Sequence, residues 1–522
     1  MVGLLVRRWS GLAAAMGAAA LLTSCAVGPD FLHPAPPETD RYTREPLAPT
    51  TSATDAPKGR AQRFVQGRDI PQEWWRLFKS RPLNRLIVRA LDANPNLQAA
   101  LSSLRSSREF VHAQEGKFFP LVQGNFNPTR QRQSQVIAPL LNCPPLCDNP
   151  FDLHTAQLQV SYTFDVWGLN RRTVESLQAQ SDAQRFQVEA AYLALTANVV
   201  LAAINEASLR AQIDATNQLI ALNRQARDTL QRQFDSGYAN RSDLAAAEAQ
   251  LAQIQATLPP LRKALAITRD LLAALAGGFP TTEPREIFRL DALQLPHDLP
   301  VSLPSQLVEQ RPDVRNAQEL LHAASAQVGI AIANQLPSFT INGNAGYMNN
   351  VLSNLISPGN MFWLVAGNVT HPLLDGFTLL HQERAAKATY DQIAWLYRAA
   401  VVGAVQNVAD ALRVLQNDAD ALRAARDFER AAKISYDLAR QQLDAGNINV
   451  LLLLQAQQTY LQARIQVIQA AAARLSDTAA LFQALGGGWW NRVEPLNEKI
   501  VDVNTGEIRP PVAPPTFWPH FY

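Results

Sequence analysis

Arg232-Gln-Phe-Asp-Ser-Gly237 recurs as Gln441-Gln-Leu-Asp-Ala-Gly446. Self-similarity across so long a separation marks a duplicated architecture, and it decides the fold before any single element is assigned. Each glycine is followed by a long Ala/Gln/Leu helical pattern. Each pattern ends at a glycine cluster, Leu275-Ala-Gly-Gly278 in the first half and Leu485-Gly-Gly-Gly488 in the second. Upstream, Asn94-Pro95 to Phe119-Pro120 has the same internal spacing as Arg311-Pro312 to Leu336-Pro337, with helix-like sequence inside both intervals. Each half therefore reads helix, strand, strand, long helix, tight turn, long helix.

The strands are read from alternation. Between Gln157 and Trp167, Leu158, Val160, Tyr162, Phe164 and Val166 interleave with Gln159, Ser161, Thr163 and Asp165, giving one apolar and one polar face. Between Met361 and Leu374 the same phase is held by Trp363, Val365 and Val369. The strands before these are marked by Val122, Gly124 and Phe126, and by Phe339, Ile341, Ala345 and Tyr347. Such alternation suits a half-buried soluble sheet as well as a membrane barrel; the evidence for export, below, favours the barrel. Four strands cannot close, because outer-membrane barrels start at about eight and an open edge in hydrocarbon leaves backbone groups unpaired. Several chains must then share one barrel, and three copies supply twelve strands.

The helices are too long for a compact domain. From about Arg171 to Phe234 there is neither proline nor glycine, a run that as helix spans on the order of 95 Å. The return helix after Gly237 carries a seam at Leu244, Leu251, Ile254, Leu258, Leu261, Leu265, Leu272 and Leu275. Its counterpart after Gly446 uses Leu451, Leu454, Leu461, Ile465, Ile468, Ala472, Leu475, Ala479 and Phe482, stepping by three and four as coiled coils do. Pro259-Pro260 should kink the first return helix. An isolated four-helix bundle would share this pattern, but the strands and tight glycine turns favour hairpins that project from a barrel.

The N-terminus has a basic start (Arg7, Arg8), an apolar run from Gly11 to Leu22 and a small-residue junction, the parts of a secretory signal peptide. Leu22-Thr23-Ser24-Cys25 resembles a bacterial lipobox, which makes Cys25 the acylated first residue of an exported, anchored chain. Ala26 stands where an aspartate would resemble an inner-membrane retention signal, so the outer membrane is expected. Cys143 and Cys147 remain. In an oxidising compartment they read as a short disulfide, whereas a metal site lacks a second ligand pair nearby. After the signal, no uncharged apolar stretch reaches the ~18–20 residues of a spanning helix, so any crossing of a membrane is expected to be by strands. A net charge of +2 with 47% hydrophobic and 18% charged residues permits a large core and gives no polybasic face, so nucleic acid is not an expected partner. No phosphate loop or nucleophile elbow is present and the eight histidines are scattered, so neither an enzyme nor a cofactor is expected. His322, in an Ala-rich helical setting, reads as a packing residue.

Four motifs carry a family resemblance: Ala26-Val-Gly-Pro-Asp-Phe31 behind the lipobox, Leu303-Pro-Ser-Gln-Leu-Val-Glu-Gln-Arg-Pro-Asp-Val314, His322-Ala-Ala-Ser-Ala-Gln-Val328, and Thr478-Ala-Ala-Leu-Phe-Gln-Ala-Leu-Gly-Gly-Gly-Trp-Trp490. From Cys25 to about Asn491 the chain resembles the TolC-type outer-membrane efflux ducts, in their NodT/OprM-like lipoprotein branch. The resemblance implies a membrane α+β fold: a homotrimer with a shared twelve-stranded outer-membrane β-barrel, four strands per chain, continued by a long α-helical coiled-coil barrel in the periplasm. It further implies passive export, with a periplasmic adaptor coupling the duct to an inner-membrane pump of the resistance-nodulation-division (RND) class. A mixed belt would come from Gln72-Glu-Trp-Trp75, the segment after Gly278 and the tail after Trp490. The expected parts are a signal peptide at 1–24, an acylated segment at 25–81, a first repeat at 82–278, a linker at 279–302, a second repeat at 303–488 and a Pro-rich tail at 489–522.

In the family, the turns matching Gly237 and Gly446 form the closed periplasmic end, and an aspartate ring follows the second turn. Aligned on Gly446, those positions hold Leu452 and Gln455 here, while Asp243 occupies the matching place after Gly237. A Leu/Gln constriction would gate by sterics and dewetting; the alternative is that Leu452 packs in the coiled-coil interface. Two other functions use similar parts, a type I protein-secretion duct and a structural envelope-spanning lipoprotein. The paired strands argue against the spacer, and the lipobox and motifs favour small-molecule efflux over protein secretion.

Overall fold

The computed structural model describes residues 26–132, 150–282, 284–502 and 505–509. Cys25, Cys143 and Cys147 lie outside the described residues. A short strand, β1 (Arg63–Gln66), precedes the first repeat, which runs α1 (Arg81–Ala93), α2 (Pro95–Glu115), β2 (Leu121–Gln131), β3 (Phe151–Phe164), α3 (Leu169–Asp235), α4 (Arg241–Ala256) and α5 (Leu258–Leu275). After β4 (Asp298–Val301), the second repeat runs α6 (Pro304–Gln310), α7 (Pro312–Ala333), β5 (Ser338–Asn349), β6 (Met361–Thr370), α8 (Thr378–Asp444) and α9 (Val450–Ala484), and the chain continues through β7 (Ile500–Val501) and β8 (Ile508–Arg509).

The duplication is kept in the backbone. Pro337 lies 217 residues after Pro120, and Gly446 lies 209 after Gly237. Helices α3 and α8 have the same length, 67 residues, about 100 Å each. Asn94 and Arg311, each preceding a proline, adopt extended backbone and break α1 from α2 and α6 from α7. The repeats differ at the return helix. Pro259 and Pro260 cannot donate to the preceding turn, and the helix is interrupted at Thr257, whereas α9 runs unbroken for 35 residues.

The chain forms two compact units. The first comprises the residues up to His33, Arg105–Ala183 and Gln318–Leu396. It contains an antiparallel sheet in the order β2-β3-β5-β6. The segment just after Cys25 is laced into this unit: the Val27 N–H donates to the Trp167 carbonyl at 3.0 Å, Arg172 donates to the Val27 carbonyl and the Asp30 carboxylate, and Phe31 stacks on His322 at 4.5 Å. His322 therefore packs, as its setting suggested, and it also meets Glu175 at 3.1 Å.

The second unit comprises Pro34–Leu104, Gln184–Ala317 and Tyr397–Tyr522. Here β1 and β4 pair in parallel, and Trp74, Trp75, Phe78, Leu86 and Phe482 are fully buried, with Trp74 stacked on Phe482 at 5.4 Å. The Trp490 indole and the Asn491 amide donate to Asp69, so the segment after Gly488 is fastened to the N-terminal region. The fully buried Arg474 guanidinium donates to the carbonyls of Lys58 and Arg60 and to Thr51 and Gln62, clasping the N-terminal segment onto α9.

Two expectations are corrected. The strands end earlier than their alternation suggested, at Phe164 and Thr370, because Asp165 and Asp375 turn to cap the long helices: Asp165 accepts from the Asn170 and Arg171 N–H groups, and Asp375 from those of Phe377 and Leu379. Leu451 is exposed rather than part of the seam, and Leu453, Ala463, Val467 and Ala471 are buried beside it, since α9 buries a face wider than one coiled-coil stripe. Among the described residues one window of α3 is apolar enough by composition to span a membrane, but 67% of it is buried within the chain, and its uncharged run is bounded by Glu189 and Glu206, short of a span.

Candidate transport surface and gate

Direct partners in an antiparallel pair point to the same side, so the register sorts the sheet into two chemistries. Val122 faces Val160, which faces Gly343, which faces Val365; Gly124, Leu158, Ala345 and Trp363 form the next row. Phe126, Tyr162, Phe164, Ile341, Tyr347, Met361 and Val369 extend this apolar face. Among the described residues nothing covers it: Trp363 is 72% exposed and Val369 67%. The opposite face carries Gln123, Asn125, Gln157, Gln159, Ser161, Thr163, Thr340, Asn342 and Asn344. Ser161 donates to Asn342 at 2.8 Å, Thr163 meets Thr340 at 3.3 Å and Asn125 donates to Gln159 at 3.4 Å. An uncovered apolar face backed by an uncharged hydrogen-bonding one suits lipid on one side and water on the other.

Where the polar face meets the helices, an open cavity of about 730 Å³ is lined by Lys117, Phe119, Ser161, Thr163, Trp167 and Asn334, among others. It mixes one cation, Lys117, and one carboxylate, Asp165, with amides, hydroxyls and aromatic surface. Sequence reading had not identified it, because its lining comes from both repeats and the signal exists only in the pairing of β3 with β5.

The two glycine turns close identically. Gly237 and Gly446 take φ of +81° and +74°. In each, the glycine N–H donates three residues back, to Phe234 or Leu443, and the next N–H donates five back, from Tyr238 to Gln233 and from Asn447 to Gln442. This is the paired closure that a left-handed residue permits at a helix C-terminus. The hairpins then pack together through Leu230, Leu244, Ala247, Val450 and Leu454. Asn449 caps α9 by accepting from the Leu452 N–H at 3.2 Å.

Beyond the turns, Leu452 is 51% exposed and Gln455 is exposed with it, so within the chain Leu452 does not pack in the seam. Steps of three and four from Leu452 lead through Gln455 and Thr459 to Gln462, Gln466 and Gln469, a stripe without charge on the outer side of α9. Asp243 sits half-buried in the first turn of α4. Farther along, Asp418 of α8 faces Asp477 of α9. Burial and the neighbouring carboxyl push Asp418 up to about 7, against the opposing pull of Arg474. One Asp418 oxygen is buried with no hydrogen-bond partner among the described residues; a proton on the carboxyl removes its charge and lets it donate to Asp477. Among the described residues no group of three or more metal-binding side chains is found.

The outer membrane efflux protein family model matches residues 86–278 and 303–487. The chain is 27% identical over 478 residues to the probable efflux pump outer membrane protein SepC of Pseudomonas putida, covering 90% of this chain and 95% of SepC. The same identity and coverage hold for the toluene efflux pump outer membrane protein TtgF, also of Pseudomonas putida. Among solved structures, the OprN outer-membrane channel superposes with a TM-score of 0.78 at 24% identity over 89% of this chain and 100% of that one, a likeness of fold.

Proposed function

The chain belongs to the outer membrane efflux protein family, and on that premise we propose that three copies form the passive exit duct of a tripartite efflux assembly. The observation that carries this reading is the four-stranded sheet whose apolar face is bare and whose edges, β2 and β6, are unpaired among the described residues. Such a sheet is stable in a bilayer only when copies complete a closed barrel. The apolar face then meets lipid and the amide and hydroxyl face lines the lumen. Cys25 carries the acyl anchor in the outer membrane, Cys143 and Cys147 form a disulfide on the loop joining β2 to β3, and the long helices make the periplasmic tunnel.

At the tunnel's end, the turns at Gly237 and Gly446 meet the periplasmic adaptor, which couples the duct to an inner-membrane RND pump. Leu452 and Gln455 form a neutral constriction, with Asp243 as the nearest carboxylate in the first repeat. The duct itself performs no chemistry; small molecules, including apolar ones of the kind for which TtgF is named, pass through it. The test is expression in a strain lacking its own duct but retaining a cognate adaptor and pump. Restored tolerance to toluene, together with a detergent-solubilised particle of three chains, supports the reading. A monomer that forms no channel in planar bilayers would sink it.

A further inference from the structure

The recess at the foot of the sheet holds side chains that a water-filled lumen does not call for. Leu121 pairs with Ser161, so it points to the amide and hydroxyl face, and there it is 57% exposed. Phe119, 54% exposed, lines the same recess. Trp167 lines it too; its indole N–H is spent on the Pro337 carbonyl at 2.8 Å, which leaves the ring as apolar wall. An apolar patch thus stands on the otherwise hydrophilic side of the sheet. All of these residues belong to the first compact unit.

The polar groups of the lining divide by whether they already have partners. Asp165 is occupied: its carboxylate accepts from the Asn170 and Arg171 N–H groups and pairs with the Arg171 guanidinium at 3.3 Å. Ser161 and Thr163 meet Asn342 and Thr340 across the strands. Lys117 has no ion pair among the described residues, and Glu115, two residues before it, is turned to His112 at 3.0 Å. Asn170 accepts from Gln114 at 2.6 Å while its amide nitrogen is buried without a partner. The uncompensated charge of the lining is therefore positive, and its buried unpaired group is a donor.

We propose that this recess binds organic anions: the anionic head accepts from the Lys117 ammonium and the Asn170 amide, and an aromatic body lies against Phe119, Leu121 and Trp167. This rests on the reading above that the polar face lines an export duct, and it names a class of solute for that duct. A cationic solute finds the one carboxylate already neutralised by Arg171, and a purely apolar one leaves Lys117 without a counter-charge. The volume, about 730 Å³, falls within the ~300–1,000 Å³ of small-molecule pockets. Its open mouth suits a station that solutes must leave as readily as they enter.

Equilibrium dialysis of the full-length protein in detergent, with 2-naphthoate as the probe and empty micelles as the blank, reads the site directly. Lys117→Gln should weaken naphthoate binding by about fivefold, and Leu121→Ser by about threefold. The cationic 2-naphthylmethylammonium should bind the native protein less tightly than naphthoate, and Lys117→Glu should reverse that order. Lys117 is exposed, so its variants should keep the native thermal midpoint. In planar bilayers naphthoate should interrupt the native ion current, with briefer interruptions in Lys117→Gln. Naphthoate binding that Lys117→Gln leaves unchanged, or equal binding of anion and cation, overturns the site in a protein that still conducts. Lysine-dependent binding by a protein that forms no channel upholds the site and counts against the duct.

Discussion

Both repeats pass from sheet to helix through a left-handed residue at the matching position, with opposite side chains there, and the second repeat adds a left-handed Gly376 before it. Gly168 precedes α3 with φ of +78°, and Phe377 precedes α8 with φ of +66°. A Cβ on Gly168 would sit 2.7 Å from the Ala26 Cα, because the segment behind Cys25 crosses there; at Phe377 the side chain is 68% exposed. Duplication therefore preserved the left-handed position, and the N-terminal segment, which exists once in the chain, imposed glycine on the one copy it touches. The left-handed conformation at Phe377 shows that the turn is set by the geometry of the junction and not by glycine's tolerance. Elsewhere the copies diverged in polarity: Asp418 of α8 occupies the place that Leu209 holds in α3.

The largest expected effect breaks the junction comparison. Gly168→Ala must displace Ala26 while holding a left-handed residue, and it should cost about 2–4 kcal/mol. Phe377→Gly relieves the same backbone without touching a neighbour and should change stability by no more than about 1 kcal/mol. Thermal loss of helical circular dichroism in detergent measures both. Equal effects would mean that the N-terminal segment does not constrain the first junction.

The second prediction sharpens the contrast between Asp418 and Leu209. An unfolded aspartate titrates near pH 3.9, while Asp418 in the fold titrates at about 7. Below about pH 4 both states hold the proton; between about 4 and 7 only the folded state does; above about 7 neither does. Stability should thus fall as pH rises from about 4 to about 7 and level off above that, and Asp418→Leu, which copies the first repeat, should flatten that slope. A thermal midpoint with the same pH dependence in the variant as in the native chain would remove Asp418 as its source.

The smallest effect lies at the tip. A narrow ring of carboxylates concentrates cations, and a ring of leucine and glutamine does not. Channels in planar bilayers should lose little conductance when a multivalent cation is added from the periplasmic side, and Gln455→Asp should install sensitivity. Strong native block that Asp243→Ala removes would place the governing charge in the first repeat.

Much of this was legible beforehand because it is periodic. Alternation at Leu158, Val160, Tyr162 and Phe164, and the long runs without proline or glycine, follow from the geometry of strands and helices, which every residue in a segment obeys together. The ends of those elements were less legible. Asp165 fits the alternation of β3 by polarity, yet its carboxylate caps α3, and only the position of the Asn170 and Arg171 N–H groups separates the two roles. Leu451 fits the seam by spacing, yet it faces outward at the first turn of a helix whose buried side is wider than one stripe.

By itself the sequence determined the duplication, the paired strands with their two faces and the tight turns at Gly237 and Gly446. These are local patterns or repeats of one, and local backbone chemistry is sufficient to state them. Only the tertiary structure decided the strand order β2-β3-β5-β6, the crossing of the N-terminal segment at Gly168, the clasp of Arg474 and the outward position of Leu452. Each of these joins residues far apart in the chain. No local preference encodes which distant surfaces meet; that is fixed by the joint packing of both repeats.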